Sequence, residues 1–517
     1  MATDQDVVSS SEWECDRLSY LLPSLLLFLL YLALRWPPIQ QRARLGVKAA
    51  AWWLWVALCW VLELPIHHPD TEPGWGKERG GTQEQGHGSS PGLAIGPSPE
   101  KSWGRERGMG LACKPTALAR FLLQHCCSLA RPRLAPWPRG DPHLQTLSSL
   151  LLGGLTAGDQ GQEEVNFTRD HLLLKDGGLV ALDWAVGVSG GEAVGRERGK
   201  DHHPGGKALG CHTSTPPILL LIPHYWGGVT PHLRGLCRMA LRQGFYALVF
   251  HCRGTGGCPL TTPRLTEYGD SADLVQTVAY VRSRHPSSVL VAVSEGSGSG
   301  LLLSYLGECG SSSYLTAAAC ISPVLQGQLW FDTPLPPLYR WAVLVQRKLQ
   351  LSRYASALSG VLDVDRALHC SSLRDFEETL FCSALDWESY WERNEPLRDA
   401  DEVAVPVLCL CSRDDPLLPP ASTLPLALFQ NNPYFLLALT ETGGHCGFGL
   451  EEGGQGEGEV GGNWSNVSVL EYFRVVAEFL KGEERKGTRW GGRALGNDWS
   501  GMVSNTSNLW FPWFPRV

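Results

Sequence analysis

The stretch Val291–Gly300 restricts the possible folds of this chain more than any other segment. It reads VAVSEGSGSG, an apolar run of strand length that ends in serines and glycines, and a second apolar run follows from Leu301. Small residues at such a junction let a strand turn sharply into a helix and pack closely against it. The stretch therefore predicts a strand, a tight turn and a helix, with one residue presented at the tip of the turn.

The segments around this junction alternate between strand-like and helix-like patterns. Ile218–Ile222 is continuously apolar, as a parallel strand buried on both faces requires, and Asp270–Arg284 has apolar residues at helical spacing. Further strands are predicted at Tyr246–Phe250, Val289–Val293, Leu315–Ile321, Val405–Cys411 and Tyr434–Leu439, and further helices at Leu301–Leu306 and Ser468–Leu480. This alternation predicts an α/β fold with a mostly parallel sheet and helices on both faces.

Two local patterns refine this fold. Residues 330–400 replace the alternation with helical sequence that contains Trp and Arg, which predicts a lid inserted between two strands. The capping box Ser468-x-x-Glu471 predicts the first turn of the last helix.

Composition and charge narrow the classes of partner. The chain has 517 residues, a net charge of −8 and an isoelectric point near 6.0, which argues against a nucleic-acid partner. Its 16 cysteines contain no C-x-x-C pair, so we expect buried thiols and not a disulfide framework. His202, His203, Cys211 and His212 lie in a glycine-rich loop without the spacing of metal ligands. We therefore predict neither a metal nor a cofactor.

The N-terminal run Leu18–Leu34 is uncharged, mostly apolar and just long enough to cross a bilayer. Acidic residues precede it where a signal peptide would be basic, so we favour an uncleaved anchor in a secretory-pathway membrane over secretion after cleavage. The sequence then divides into a tail 1–17, an anchor and juxtamembrane segment 18–64, a disordered linker 65–110, the α/β domain 111–486 and a disordered tail 487–517.

The side of the membrane that the folded domain faces depends on a second apolar run, Ala49–Leu62. Basic residues between the two runs favour the cytosol for that segment. The second run is short and rich in Trp, which favours a helix along the interface. If the second run crosses the membrane instead, the folded domain is lumenal and its N-x-[ST] glycosylation sites would be usable. These sites begin at Asn166, Asn463, Asn466 and Asn505.

Two later strands end in residues suited to catalysis. Asp414 and Asp415 follow the strand Val405–Cys411, and His445 follows the last strand in a glycine-rich loop. A nucleophile, an acid and a histidine that follow strand ends in this chain order are typical of an α/β-hydrolase. Asp415 fits the acid position best, Asp414 is the second candidate, and His445 is the candidate base.

Short motifs between residues 112 and 482 resemble those of one family. They are His143-Leu-Gln-Thr146, Leu182-Asp-Trp184, Pro223-His-Tyr-Trp-Gly-Gly228, His251-Cys-Arg-Gly254, Ile321-Ser-Pro323, and the Asp-Asp-Pro and Gly-Gly-His segments. In these motifs the chain resembles the membrane-anchored α/β-hydrolase family that includes the alpha/beta-hydrolase domain-containing proteins 1, 2 and 3. The resemblance implies the α/β-hydrolase fold and an esterase or lipase activity on lipid esters.

The turn after Val293 departs from the Gly-x-Ser-x-Gly pattern that the resemblance implies. Flanking residues on both sides align without a gap and place Gly296 at the nucleophile position. Glycine has no side chain that could attack a substrate, and it adopts the strained angles of such a turn without the Cβ penalty. Among the neighbouring serines, Ser294 has the small flanks that an elbow needs, Ala292 and Gly296, but it lies roughly 6–7 Å back along the strand.

The resemblance implies a role in lipid metabolism. With Gly296 at the nucleophile position, we predict a membrane-associated protein of the α/β-hydrolase fold that is non-catalytic or weakly catalytic and regulates by binding a lipid, an acyl ester or a protein partner. The alternative is an active serine hydrolase that uses Ser294, or less favourably Ser297, with Asp415 and His445. A third hypothesis is that Asp415 and His445 activate water without a serine. If a triad has been silenced, Gly296→Ser is expected to restore weak activity.

Tyr225 and Trp226 occupy the loop where an oxyanion hole is expected. Their bulk would fill the space that a tetrahedral intermediate needs. We group them with Ser297 as candidate pocket residues.

Overall fold

A computed structural model describes residues 50–65, 109–152, 165–187, 215–383, 385–451 and 463–489. The chain divides into two compact units, Met1–Asp70 and Thr71–Val517. The predicted tail 1–17 and anchor run Leu18–Leu34 lie outside the described residues. Most of the predicted linker and of the C-terminal tail, with Asn505, also lie outside them.

The described part of the first unit contains a helix at residues 50–61. Several of its large apolar side chains are exposed, Trp60 by 79% and Leu54 by 73%. Within the segments that the structure describes, every helix is too short or too polar to cross a bilayer.

In the described part of the second unit, strands of one sheet follow in the spatial order β1-β9-β8-β7-β6-β4-β5-β3-β2. Their bounds are β1 Met109–Ala112, β2 Asn166–Leu173, β3 Leu179–Val186, β4 Ile218–Ile222, β5 Tyr246–His251, β6 Leu290–Glu295, β7 Ala317–Ile321, β8 Val407–Ser412 and β9 Phe435–Thr440.

The strands from β5 through β4, β6, β7 and β8 to β9 are parallel, whereas β1 pairs antiparallel with β9, and β3 pairs antiparallel with both β5 and β2. Leu220 in β4 aligns with Leu248 in β5 and with Ala292 in β6. All three are buried, because helices cover both faces of the parallel strands. The predicted mostly parallel α/β fold is confirmed.

Helices cover the two faces separately. Leu236 and Leu470 belong to one apolar core, and Leu274 and Leu302 belong to the core on the other face. The helices are α1 Ala117–His125, α2 Cys127–Ala130, α3 Pro142–Leu147, α4 Pro231–Arg242, α5 Ala272–Arg284, α6 Ser299–Cys309, α7 Gly327–Asp332, α8 Pro337–Arg353, α9 Ala355–Leu358, α10 Val364–His369, α11 Leu373–Phe381, α12 Trp387–Asn394, α13 Leu426–Asn431 and α14 Trp464–Arg489.

The helices α7 to α12 lie between β7 and β8, so the predicted insertion near residues 330–400 is present and helical. It packs against the rest of the second unit through aromatic side chains. Tyr268, in the loop before α5, contacts Trp330, Phe331 and Trp391 of the insertion at ring-centroid distances of 6.0, 5.4 and 5.6 Å. These edge and tilted contacts bury the inner face of the insertion.

The predicted capping box at Ser468 is wrong. Helix α14 begins four residues earlier, at Trp464, and Ser468 is buried inside it. Glu471 instead accepts the backbone N–H groups of Cys127 and Ser128 at 3.1 and 2.8 Å, at the start of α2. The carboxylate thus caps a different helix, which sequence spacing within α14 could not reveal.

This capping contact predicts a stability effect at the start of α2. We expect Glu471→Ala to lower the free energy of unfolding by about 1–2 kcal/mol, because it leaves the first N–H groups of α2 without an acceptor. Urea unfolding of the two proteins measures the change. The matched control is Glu478→Ala, an exposed residue of the same helix, for which we expect less than about 0.5 kcal/mol. Equal effects of the two variants would contradict the capping role.

Candidate active site

Gly296 stands at the tip of the turn between β6 and α6. Its φ is +51°, a left-handed conformation that glycine adopts without strain. Gly296–Gly298 forms a short 3-10 turn, so α6 begins at Ser299 and not at Leu301 as predicted. The geometry is that of a sharp strand-to-helix turn with a glycine at its tip.

His445 faces this tip from the loop after β9. Its Nδ1 lies 2.9 and 3.1 Å from the two carboxylate oxygens of Asp415. The Thr146 hydroxyl accepts the His445 backbone N–H at 2.9 Å, and the Ser149 hydroxyl donates to its carbonyl oxygen at 2.7 Å. His445 is therefore held in place through both its imidazole ring and its backbone. A Cβ built on Gly296 would lie 2.7 Å from His445 Nε2.

The structure distinguishes the two candidate acids. Asp415 contacts the imidazole, whereas an oxygen of Asp414 accepts the backbone N–H of Gly444 at 2.9 Å. Burial raises the pKa of Asp414 to about 7. Asp414 thus holds the backbone of the histidine loop, and Asp415 orients the ring.

His224 fills the space beside Gly296, and sequence reasoning did not identify it. A Cβ on Gly296 would lie 2.1 Å from His224 Cε1 and 2.4 Å from its Nδ1, far inside contact distance. The ring is stacked on Trp226, with centroids 4.4 Å apart and an angle of 6° between the planes. Burial lowers the pKa of His224 to about 3, so the ring is neutral at neutral pH. A bulky residue directly after β4, in the loop expected to carry oxyanion donors, is the sequence signal for it.

The three serines of the turn have different surroundings. The Ser294 hydroxyl is buried and has no hydrogen-bond partner among the described residues, and the same holds for His445 Nε2, so these two groups do not bond each other. The Ser299 hydroxyl accepts the backbone N–H of Val324 at 2.9 Å. The Ser297 hydroxyl accepts the backbone N–H of Tyr225 at 3.1 Å.

The Tyr225 contact concerns the oxyanion position. In this fold one oxyanion donor is a backbone N–H of the loop after the first long parallel strand. The Tyr225 N–H lies in that loop, and it donates to the Ser297 hydroxyl. The Tyr225 hydroxyl is 2.9 Å from Glu377 of the insertion, and the Arg347 guanidinium lies 4.3 Å from the Tyr225 ring centroid. Tyr225 therefore ties the loop to the insertion.

Glu295, one residue before the tip, is fully buried and carries a compensated charge. Thr230 donates its hydroxyl to the carboxylate at 2.7 Å, and His232 Nδ1 lies 2.9 Å from it. Burial raises the pKa of the carboxyl, but its neighbours, which include the bonded His232 and Thr230 side chains, outweigh burial and hold the pKa below its usual value. The acid thus remains charged at the end of β6.

The space around the turn is small. A cavity beside His224, Tyr225 and Ser297 has a volume of about 20 Å³, which is room for roughly one water molecule. A second, beneath Arg347 and Tyr354 of the insertion, has about 30 Å³. Both cavities are too small for a ligand much larger than a water molecule.

Comparison with known proteins assigns the chain to a family. No family model matches the chain. Human Protein ABHD15 is 45% identical over 434 residues, which cover 80% of this chain and 86% of that protein. The chain belongs to the ABHD family of α/β-hydrolase-fold proteins.

Other ABHD relatives have names of lipid hydrolases. Mouse Phospholipase ABHD3 is 26% identical over 344 residues, 64% of this chain and 77% of that protein. Zebrafish (Danio rerio) Monoacylglycerol lipase ABHD2 is 24% identical over 400 residues, 72% of this chain and 86% of that protein. The family resemblance inferred from the motifs is confirmed.

The raised pKa of Asp414 predicts a pH dependence of stability. Between about pH 4 and 7 the folded protein retains a proton that the unfolded chain releases. Stability therefore falls as pH rises through this window, by up to about 1.4 kcal/mol per pH unit. We expect Asp414→Asn to remove this part of the slope, and urea unfolding from pH 4 to 8 measures it. The control is Asp401→Asn, which changes an exposed aspartate and should keep the wild-type dependence of stability on pH. If Asp414→Asn also keeps that dependence, Asp414 is not its source.

Proposed function

We propose that this ABHD protein does not hydrolyse esters and that it regulates lipid metabolism by binding. The observation that carries the proposal is the pair Gly296 and His224. No nucleophilic side chain stands at the tip of the elbow, and an imidazole fills the volume that one would occupy. Adding a serine at Gly296 would place its Cβ 2.1 Å from that ring.

Two further features support a non-catalytic role. The Tyr225 backbone N–H bonds to Ser297, so it is not free to stabilise an oxyanion, a contribution usually worth several kcal/mol of transition-state energy. The cavity beside His224 is also too small for an ester group. We infer that the ligand is a lipid or acyl ester that enters when the insertion moves, or a regulatory protein partner that contacts the domain surface. The proposal involves no cofactor.

An active lipid esterase is the second candidate function. The Asp415–His445 pair favours it, as do the ABHD relatives named as a phospholipase and a lipase. Ser294 is then the fallback nucleophile. Against it, the Ser294 hydroxyl and His445 Nε2 form no hydrogen bond, and a triad tolerates displacements of only about 0.5 Å.

Labelling with a fluorophosphonate probe separates the two functions. We expect no labelling of the full-length protein and none of Gly296→Ser alone, because His224 obstructs the added side chain. This differs from the prediction made from the sequence, which was that Gly296→Ser alone would restore weak activity to a silenced triad. The double variant Gly296→Ser with His224→Gly provides a hydroxyl and removes the tighter of the two obstructions. His445 Nε2, 2.7 Å from the new Cβ, must still shift, and we expect weak labelling.

Two controls define the outcome of this labelling. Adding His445→Ala to the double variant should abolish labelling, since the serine then has no base. If the wild-type protein is labelled and Ser294→Ala abolishes the labelling, the hydrolase function is established and the regulatory proposal is overturned.

We further propose that the N-terminal region associates with a secretory-pathway membrane. The helix 50–61 exposes Trp53 and Trp60 by 70% and 79%, and Trp favours the membrane interface. Leu18–Leu34 is the proposed anchor.

Extraction of membranes with alkaline carbonate tests this association. We expect the full-length chain to remain in the membrane pellet and deletion of residues 18–34 to release it. At neutral pH the deletion variant should still float with vesicles, and Trp53→Ser with Trp60→Ser should weaken that flotation. Release of the full-length chain by carbonate would contradict the anchor.

A further inference from the structure

A cluster of three side chains that can bind metal lies beside Gly296. The donor atoms of His224, His445 and Cys446 lie within 4.8 Å of one another, and all three residues are buried. They come from two loops, one after β4 and one after β9. The fold therefore brings together donors that are far apart in the sequence.

Three of the four imidazole nitrogens of this cluster lack hydrogen-bond partners among the described residues. Neither ring nitrogen of His224 has one among the described residues, nor has Nε2 of His445. A buried polar atom without a partner costs about 1–3 kcal/mol and calls for an explanation. His224 Nδ1 and His445 Nε2 both face the same volume, at 2.4 and 2.7 Å from the point where a Cβ of Gly296 would lie.

A carboxylate stands behind each imidazole. Asp415 binds Nδ1 of His445 at 2.9 Å, which leaves Nε2 directed at the cluster. Glu295 lies 3.8 Å from Nε2 of His224, near enough for charge attraction but too far for a hydrogen bond. A carboxylate hydrogen-bonded to a histidine fixes the ring and makes its other nitrogen a better metal ligand, as Asp415 does for His445. The cluster thus has ligands, one bonded outer partner and a nearby negative charge.

We propose that His224 Nδ1, His445 Nε2 and Cys446 Sγ bind one Zn²⁺ ion beside Gly296. Two imidazoles and one thiolate suit zinc, which takes four ligands in a tetrahedral arrangement. The thiol, which contacts the Ile321 carbonyl oxygen at 3.6 Å, loses its proton to solvent when the ion binds. The fourth position is taken by water from the cavity that His224 lines.

Glycine at position 296 is what makes this site sterically possible. A serine would direct its side chain into the volume that the two imidazoles face. Gly296 thus has two effects: it leaves the elbow without a nucleophilic side chain, and it leaves room for the ion. The inference does not rest on the regulatory role, because metal binding is measured without any catalytic readout.

Cobalt titration tests the site in the full-length protein, purified in detergent and stripped of metal with a chelator. We expect one equivalent of Co²⁺ to bind with a thiolate-to-cobalt charge-transfer band, and Zn²⁺ to displace it. Zn²⁺ should also raise the midpoint of thermal unfolding. Cys446→Ser should lose the band, and Cys237→Ser, a buried cysteine of α4, should retain it.

A conservative variant provides a second test that leaves all three ligands in place. Glu295→Gln removes the charge behind His224, and we expect the affinity for Zn²⁺ to fall about 10–100-fold. Thermal unfolding of the stripped variants verifies that each is folded. A wild-type protein without the band, or a band that survives Cys446→Ser, overturns the site and leaves the two imidazoles as packing groups only. Neither result bears on fluorophosphonate labelling, so the two proposals fail independently.

Discussion

The site depends on the direct contact of two turns, one after β4 and one after β6. A Cβ at Gly298 would lie 2.1 Å from the carbonyl oxygen of Pro223, so only glycine lets these two backbones touch. This contact holds the residue after Pro223 against the tip of the elbow. The identity of that residue, His224, therefore decides how much space remains beside Gly296.

Buried charge near the elbow is balanced by neighbouring side chains. A buried carboxylate costs several kcal/mol unless it is paired and hydrogen-bonded. Glu295 has the Thr230 hydroxyl and His232 within hydrogen-bonding distance, and Asp415 has His445. These pairs support the two loops that meet at Gly296 whether or not a reaction takes place. Retention of an acid and a histidine is thus explained by structure as well as by chemistry.

The sequence predicted the parallel strands well because each is a short, continuous apolar run. Strand β4 was predicted to the residue at Ile218–Ile222. Strand β2, Asn166–Leu173, was not predicted. Most of its residues are exposed, so its sequence lacks the alternation of apolar and polar residues that marks a half-buried strand. The start of α14 was misplaced because Glu471 forms its hydrogen bonds with a distant helix. Local pattern cannot reveal a partner that is separated by hundreds of residues.

The sequence by itself determined the fold class, the family and the absence of a serine at position 296, since each depends on local pattern and residue type. Only the tertiary structure decided that Asp415, and not Asp414, contacts His445, that Ser297 occupies the Tyr225 N–H, and that His224 lies beside Gly296. The physical reason is that these contacts join the ends of different strands. Their distances are set by how the strands pack in the sheet, which spacing along the chain does not encode.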